Sequence, residues 1–169
     1  AFADLNGDGI INNNDRYFYK DPYADVLMGL TLNFRYKNFD LTSVSRASLG
    51  NYVSNRMHAA SVYTQIINLN RISNVHKKFL NDQLISFSDK NNVSDHYVRN
   101  ASFFKMDNIT LGYTIDNFID NNPMRLYLTG DNLFTITKYN GIDPEITGGI
   151  DSNFYPRART IAFGLDLNF

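Results

Sequence analysis

Residues 26–36 read Val-Leu-Met-Gly-Leu-Thr-Leu-Asn-Phe-Arg-Tyr and alternate without a break. In an extended chain Val26, Met28, Leu30, Leu32, Phe34 and Tyr36 fall on one face, and Leu27, Gly29, Thr31, Asn33 and Arg35 on the other. Period two sustained this long predicts a β-strand with one apolar side and one mostly polar side. Lys37-Asn38 supplies a two-residue turn, and Phe39-Asp40-Leu41-Thr42 restarts a weaker alternation that runs to about Leu49. Residues 26–49 are therefore expected to form a hairpin.

Three later stretches repeat the pattern. In 103–115, Ile109, Leu111, Tyr113 and Ile115 oppose Asn108, Thr110, Gly112 and Thr114. In 124–134, Met124, Leu126, Leu128 and Gly130 oppose Arg125, Tyr127, Thr129 and Asp131. In 157–169, Ile161, Phe163, Leu165, Leu167 and Phe169 oppose Ala162, Gly164, Asp166 and Asn168. An eleven-residue strand tilted about 45° rises roughly 26 Å, the height of the apolar band of a membrane barrel and well above the usual soluble strand. The connections 37–38 and 116–123 are short, whereas 50–102 and 138–156 are long, the loop asymmetry of such barrels. Five strands this long cannot close a lumen and would leave two open edges, so the expectation is a C-terminal piece of a larger barrel. A soluble sandwich or lipocalin-like barrel alternates as well, and that reading stays open on pattern alone.

Composition points the same way. The chain has 169 residues and a formal charge of −1, which gives no electrostatic case for nucleic acid as a partner. No apolar run reaches the length of a transmembrane helix. Cysteine is absent, which removes disulfides and thiolate metal sites. Sixteen of the seventeen acids are Asp, Glu145 being the exception, and there are 23 Asn. Those residues favour turns and caps over helix interiors, and 24 Tyr and Phe favour strands. An all-β chain with generous loops is expected. Within 50–102 the segment 59–80 could hold a short helix, since Val62, Ile66, Leu69 and Ile72 have helical spacing.

The segment Asp4–Asp15 is the strongest local chemical signal. Asp4, Asn6, Asp8, Asn12 and Asp15 place side-chain oxygens at positions 1, 3, 5, 9 and 12 of a loop, Ile10 offers its carbonyl at position 7, and Gly9 stands at position 6. This is the calcium-loop pattern of an EF-hand, with Asp in place of Glu at position 12. A structural calcium ion held by Asp4, Asn6, Asp8, Ile10, Asn12 and Asp15 is expected. The competing reading is an Asx-rich turn without an ion.

Catalytic signals are weak. His58, His76 and His96 are far apart in sequence and read as surface or loop residues. No nucleophile elbow, Walker loop or dinucleotide fingerprint occurs. Asp143 and Glu145 flank Pro144 and are the one candidate carboxylate pair for glycoside hydrolysis. Tyr52, Tyr63, Phe87, Tyr97, Tyr139, Phe154 and Tyr155 could stack on sugar faces or pack within the loops. No enzyme activity is expected.

In order along the chain stand Asp4–Ile11 (D-x-N-G-D-G-x-I), Tyr36–Leu41 (Y-K-N-F-D-L), Ser94-Asp95 with Val98 and Ser102-Phe103, Asn108–Tyr113 (N-I-T-L-G-Y), Asn132–Glu145 (N-L-F-T-x-T-x-Y-x-G-x-D-P-E), Tyr155–Thr160 and a terminal aromatic, Phe169. Together these resemble the C-terminal part of a TonB-dependent outer-membrane transporter of the SusC/RagA family. Residues 50–92 carry no pattern of that family. The resemblance implies the last antiparallel strands of a plugged transmembrane barrel of about 22 strands, with long extracellular loops, in the outer membrane of a Gram-negative, Bacteroidetes-type bacterium. It implies import of oligosaccharides or peptides, a SusD-like surface lipoprotein as lid, and energy from the TonB complex through an N-terminal part absent here. Lipid and the remainder of the same barrel would be the other partners.

On that topology 1–25 is an extracellular loop with the calcium site, 26–49 a barrel hairpin, 50–102 a long extracellular loop, 103–134 a second hairpin, 135–156 an extracellular loop and 157–169 the terminal strand. The turns 37–38 and 116–123 are then periplasmic. Two other functions compete: a soluble calcium-binding β-domain acting as an adhesion or carbohydrate-binding module, and an outer-membrane hydrolase barrel.

Overall fold

The computed structural model describes residues 3–62, 94–119, 122–152 and 155–167. In chain order they form β1 (Val26–Tyr36), β2 (Phe39–Leu49), β3 (Tyr52–Asn55), α1 (Arg56–Val62), β4 (Val98–Asn100), β5 (Phe103–Ile119), β6 (Asn122–Thr137), β7 (Ile150–Asp151) and β8 (Thr160–Leu167). Five long strands make one sheet in the order β1-β2-β5-β6-β8, each antiparallel to its neighbours. The short strands make a second sheet, β4-β3-β7, at the loop end of the first.

The register aligns the alternation of every long strand. Leu32, Ser43, Ile109, Gly130 and Ile161 lie in one row, and Phe34, Leu41, Leu111, Leu128 and Phe163 in the next row of the same face. The other face carries Arg35 opposite Asp40, Thr42 opposite Thr110, Thr110 opposite Thr129, and Arg125 opposite Asp166. A one-residue slip anywhere would put apolar and charged side chains on the wrong sides together, so the hydrophobic pattern pins the pairing.

The turn between β1 and β2 closes with Lys37 in the left-handed region at φ 52°. Asn38 fastens it to β5: its side-chain amide donates to the Thr114 carbonyl at 2.7 Å, and its carbonyl accepts from the Thr114 N–H at 2.8 Å. Register shifts interrupt the sheet at two places on β5: between Met106 and Asn108, where β2 shifts opposite at Val44/Ser45, and between Ile115 and Ile119. The first is a bulge at Asp107. It explains why two polar residues, Asp107 and Asn108, follow one another in an otherwise alternating strand.

The apolar face is not folded into an interior. Ile161 and Phe163 are 73% and 70% exposed, and the apolar side chains of β1 are exposed throughout. The compact hydrophobic cluster among the described residues is small: Val53, Ala101 and Tyr139, with Ile146 packed against them. It lies between the small sheet and the loop that follows β6. A soluble module would need the β8 side chains in its own core, and that arrangement is not found. No helix among the described residues is long and apolar enough to cross a membrane.

Several boundaries differ from the sequence expectation. β5, 17 residues long, starts at 103 as expected but runs past 115 to Ile119, and β6, 16 residues long, extends past both ends of the expected 124–134. The expected turn 116–123 contracts accordingly. β8 begins at Thr160 rather than 157. The helix expected over 59–80 begins at Arg56, where the side-chain oxygen of Asn55 accepts from the His58 N–H at 2.7 Å; residues 63–93 lie outside the described residues. The small sheet was not anticipated, because strands of two to four residues show no period.

Candidate functional site

Two features at the loop end concentrate chemistry: the Asp4–Asp15 loop and a charged cluster on the polar face.

The Asp4–Asp15 loop folds back on its own carboxylates. The two Asp4 oxygens accept from the Gly7 and Gly9 N–H groups, each at 2.7 Å. Gly9 takes φ 82°, the sharp-turn conformation expected at position 6. Asn6 and Asp8 make successive Asx turns to Asp8 N–H (2.9 Å) and Ile10 N–H (2.8 Å). Asn12 and Asp15 form a reciprocal capping box around the short 3-10 turn Asn13–Asp15. Asp15 accepts from Asn12 N–H at 2.7 Å and Leu5 N–H at 2.9 Å, which lowers its pKa below the usual carboxylate value, the Asn12 bond being the larger cause.

The donor set is all oxygen, as a hard cation requires. The carboxylates are engaged by backbone amides, each carboxylate oxygen keeping further lone-pair capacity. Among the described residues no three His, Cys, Asp or Glu side chains converge as a metal cluster. An ion here would therefore draw on the Asn6 and Asn12 side-chain oxygens and the Ile10 carbonyl as well as on Asp4, Asp8 and Asp15.

The charged cluster is larger than sequence spacing suggested. Arg46 of β2 donates through Nε to Asp107 at 2.9 Å, and through Nη1 and Nη2 to the two oxygens of Glu145 at 2.5 and 2.8 Å. Lys105 of β5, only 3% exposed, reaches Glu145 at 3.4 Å. Arg157 spans Asp143 at 3.2 Å and Glu145 at 3.0 Å. Asp143 also accepts the Glu145 N–H at 2.8 Å. The candidate hydrolytic pair is thus engaged by cations, Glu145 by Arg46, Lys105 and Arg157, and Asp143 by Arg157. Their oxygens are taken up by ion pairs that tie the loop to the sheet. The sequence reading missed Arg46, Lys105, Asp107 and Arg157. The available signal was the adjacent Asp107-Asn108, which marks the bulge that turns Asp107 toward Arg46.

Farther along the same face Arg125 pairs with Asp40 at 2.7 Å and Asp166 at 3.3 Å. Between the two clusters the Thr110 and Thr129 hydroxyls meet at 2.8 Å, and Asn108 donates to Asp131 at 2.7 Å. A cleft of about 430 Å³ opens beside the Arg46–Glu145 pair, lined by Tyr23, Leu27, Phe103 and Thr147 among others.

Loop contacts join the pieces. Tyr17 donates to Asp95 at 2.8 Å, which raises the Tyr17 pKa. Tyr52 N–H donates to the Asp21 carbonyl at 3.1 Å. Tyr139 is buried and donates to Asp151 at 2.6 Å; burial, then this bond, raises its pKa well above the usual phenol value. His58 and His96, remote in sequence, have ring centroids 6.3 Å apart, and His58 and Tyr97 meet edge to face at 5.5 Å. Of the candidate stacking aromatics, Tyr97 and Tyr139 are buried, Tyr52 lies under Lys20, and Tyr155 is exposed. Tyr63, Phe87 and Phe154, with His76, lie outside the described residues.

No family model matches the chain. It is 43% identical over 178 residues to TonB-dependent receptor SusC of Bacteroides thetaiotaomicron, an alignment covering 99% of the chain and 17% of the relative. It is 30% identical to TonB-dependent receptor P3 of Formosa agariphila, covering 99% of the chain and 19% of that protein. The chain thus spans about a sixth to a fifth of the length of these curated relatives. Among solved structures, the RagAB peptide transporter matches with a TM-score of 0.65 and 28% identity, over 83% of the chain and 17% of that chain. The RagAB peptide importer in its closed-closed state matches in fold with a TM-score of 0.70 over 96% of the chain and 20% of that chain, at 23% identity. With the long antiparallel sheet and its two-sided pattern, these matches show that the chain is part of the barrel of a TonB-dependent receptor and belongs to the SusC/RagA family.

Proposed function

We propose that the chain forms part of the wall and outer mouth of a nutrient importer in the outer membrane of a Gram-negative bacterium. The observation that carries the reading is the two-sidedness of the five-stranded sheet. One face is mostly apolar and largely exposed, most of all on β1 and β8; the other holds every ion pair between strands among the described residues. In a barrel the first face meets lipid and the second meets the lumen. Aromatic rings sit near both ends of the apolar face, Phe39 against Tyr113 at 4.7 Å and Phe104 near Phe134 at 6.4 Å, consistent with the interfacial girdles of outer-membrane barrels.

In this reading the 37–38 turn is periplasmic, and the Asp4–Asp15 loop, 50–102 and 138–156 are extracellular. The cargo is an oligosaccharide or a peptide, a SusD-like lipoprotein closes the mouth as a lid, and the TonB complex supplies energy through parts of the receptor beyond this chain. Uptake of labelled oligosaccharides and peptides by cells carrying the full-length receptor, with and without its gene, tests the reading. Loss of uptake of one class on deletion supports it and names the cargo. Unchanged uptake of both would refute import as the function.

The Asp4–Asp15 loop binds a structural calcium ion through Asp4, Asn6, Asp8, Ile10, Asn12 and Asp15, bracing the extracellular end. The all-oxygen donor set and the tight turn at Gly9 support this. Proteolysis of the full-length receptor between residues 1 and 20 should slow when calcium is added to chelated protein, and Asp4→Ala with Asp8→Ala should abolish that protection. Cleavage indifferent to calcium would refute the ion.

A further inference from the structure

Arg46 and Lys105 are direct partners across the β2–β5 ladder. Two like charges opposed on neighbouring strands destabilise a sheet, and Lys105 is almost fully buried. Asp107 answers only Arg46. The second anion comes from outside the strands: Glu145, 40 residues beyond Lys105 in sequence, accepts from both cations. The loop that brings it is tied at the same place by Arg157, which holds Asp143 and Glu145 together in front of β8. Six charges, three of each sign, therefore balance only when the 138–152 loop is seated.

We infer that Arg46 is a positioning residue, and that Arg46, Lys105 and Arg157 with Asp143 and Glu145 form an ionic latch holding the 138–152 loop against the lumen-facing wall. The wall is built around the loop. Releasing the loop would leave Arg46 and Lys105 opposed, with Asp107 as their one remaining nearby anion. The latch accounts for two features at once: a buried lysine inside a strand of membrane length, and the bulge that aims Asp107 at the free side of the Arg46 guanidinium. A bidentate fork on Glu145 with Nε left for Asp107 uses the arginine geometry fully, which a lysine at 46 could not do. The two ends of the loop are closed on each other by Tyr139 to Asp151, and Ile150-Asp151 pair with β3, so the latch restrains the 140–149 span between them.

This inference rests on the polar face being the lumen side, but its test does not depend on transport. In the full-length receptor, a spin label at Ile142, which is exposed on the loop, reports loop mobility. The label should be restricted in the parent protein. Glu145→Gln should raise its mobile fraction about tenfold, the weight of one charge-assisted hydrogen bond. Arg46→Met should do the same, and the Arg46→Met, Glu145→Met pair should loosen the loop by less than the sum of the two single variants, since they share the Arg46–Glu145 interaction. Should those variants fail to assemble, Arg157→Gln at the accessible rim carries the same test with a smaller rise. A label already mobile in the parent, unmoved in Glu145→Gln and Arg157→Gln, or additive in the pair would overturn the latch. A restricted label in a receptor that imports neither sugar nor peptide would leave the latch standing and remove the import reading instead.

Discussion

The two faces of the sheet should differ in how they tolerate the same charge. Ile109 lies on the apolar face of the central strand β5, with Ser43 and Gly130 as its cross-strand partners. It is four residues, about 13 Å of strand, from the Tyr113 end of the apolar band and a similar distance from Phe104. That is near the membrane midplane. Val44 lies on the opposite face at almost the same height, between Thr31 and Asn108. A lysine at 109 must place its ammonium in hydrocarbon or bend toward an interface, at a cost of about 2–4 kcal/mol. A lysine at 44 enters the polar side near Asn108 and costs roughly 0–1 kcal/mol. The expected difference of about 2–3 kcal/mol is a factor of roughly 30 to 150 in the folding equilibrium. Denaturant titration of the full-length receptor in phospholipid vesicles, followed by β-sheet circular dichroism, measures it. Val44→Lys proving as costly as Ile109→Lys, or costlier, would refute the assignment of the faces.

Three further outcomes follow from particular contacts. The Asp15 carboxyl has a lowered folded pKa, so its stabilisation of the calcium-free loop is present above the ordinary carboxylate pKa and lost as pH falls through the folded value; protection of the Leu5 and Asn12 amides against hydrogen exchange should fall on acidification below about pH 4. A methyl group at Gly164 would stand 2.1 Å from the Tyr127 ring, which lies across that glycine, so Gly164→Ala should destabilise the β6–β8 pair by about 1–3 kcal/mol, and Tyr127→Ala in the same protein should recover part of it in denaturant titrations. Arg125→Gln leaves the Asp40 carboxylate without its two-point partner and should cost about 1–2 kcal/mol in the same assay, whereas Asp166→Asn at the exposed end of the pair should cost less than half of that.

The long strands were legible because their face pattern is strict. Six alternate residues from Val26 to Tyr36, and four from Ile161 to Leu167, need only a period of two to be read. Strand ends were less legible: β5 starts at Phe103 as expected but runs on to Ile119 through Asp116-Asn117, and β6 extends to Thr137 through Thr135, where polar residues break the alternation. The 52–55 and 150–151 strands are too short to carry a period and exist because Val53, Ala101 and Tyr139 gather around one small cluster. The Asp4–Asp15 turn was readable residue by residue, since Asx turns and a position-6 glycine are local. The charged cluster was not, because Arg46, Lys105, Glu145 and Arg157 come from four places in the chain. Asp143-Pro144-Glu145 seen alone suggested a carboxylate pair; only the fold shows the cations that occupy it. Likewise nothing local predicts that His58 and His96 come within 6.3 Å of each other.

The most direct test is a cysteine scan from Asn108 to Ile115 in the full-length receptor in lipid, each site spin-labelled and its collision rates with oxygen and with a water-soluble nickel chelate compared. Oxygen collisions should peak at Ile109, Leu111, Tyr113 and Ile115, and nickel collisions at Asn108, Thr110, Gly112 and Thr114. The opposite phase, or nickel access at every position, would contradict a sheet whose apolar face meets lipid.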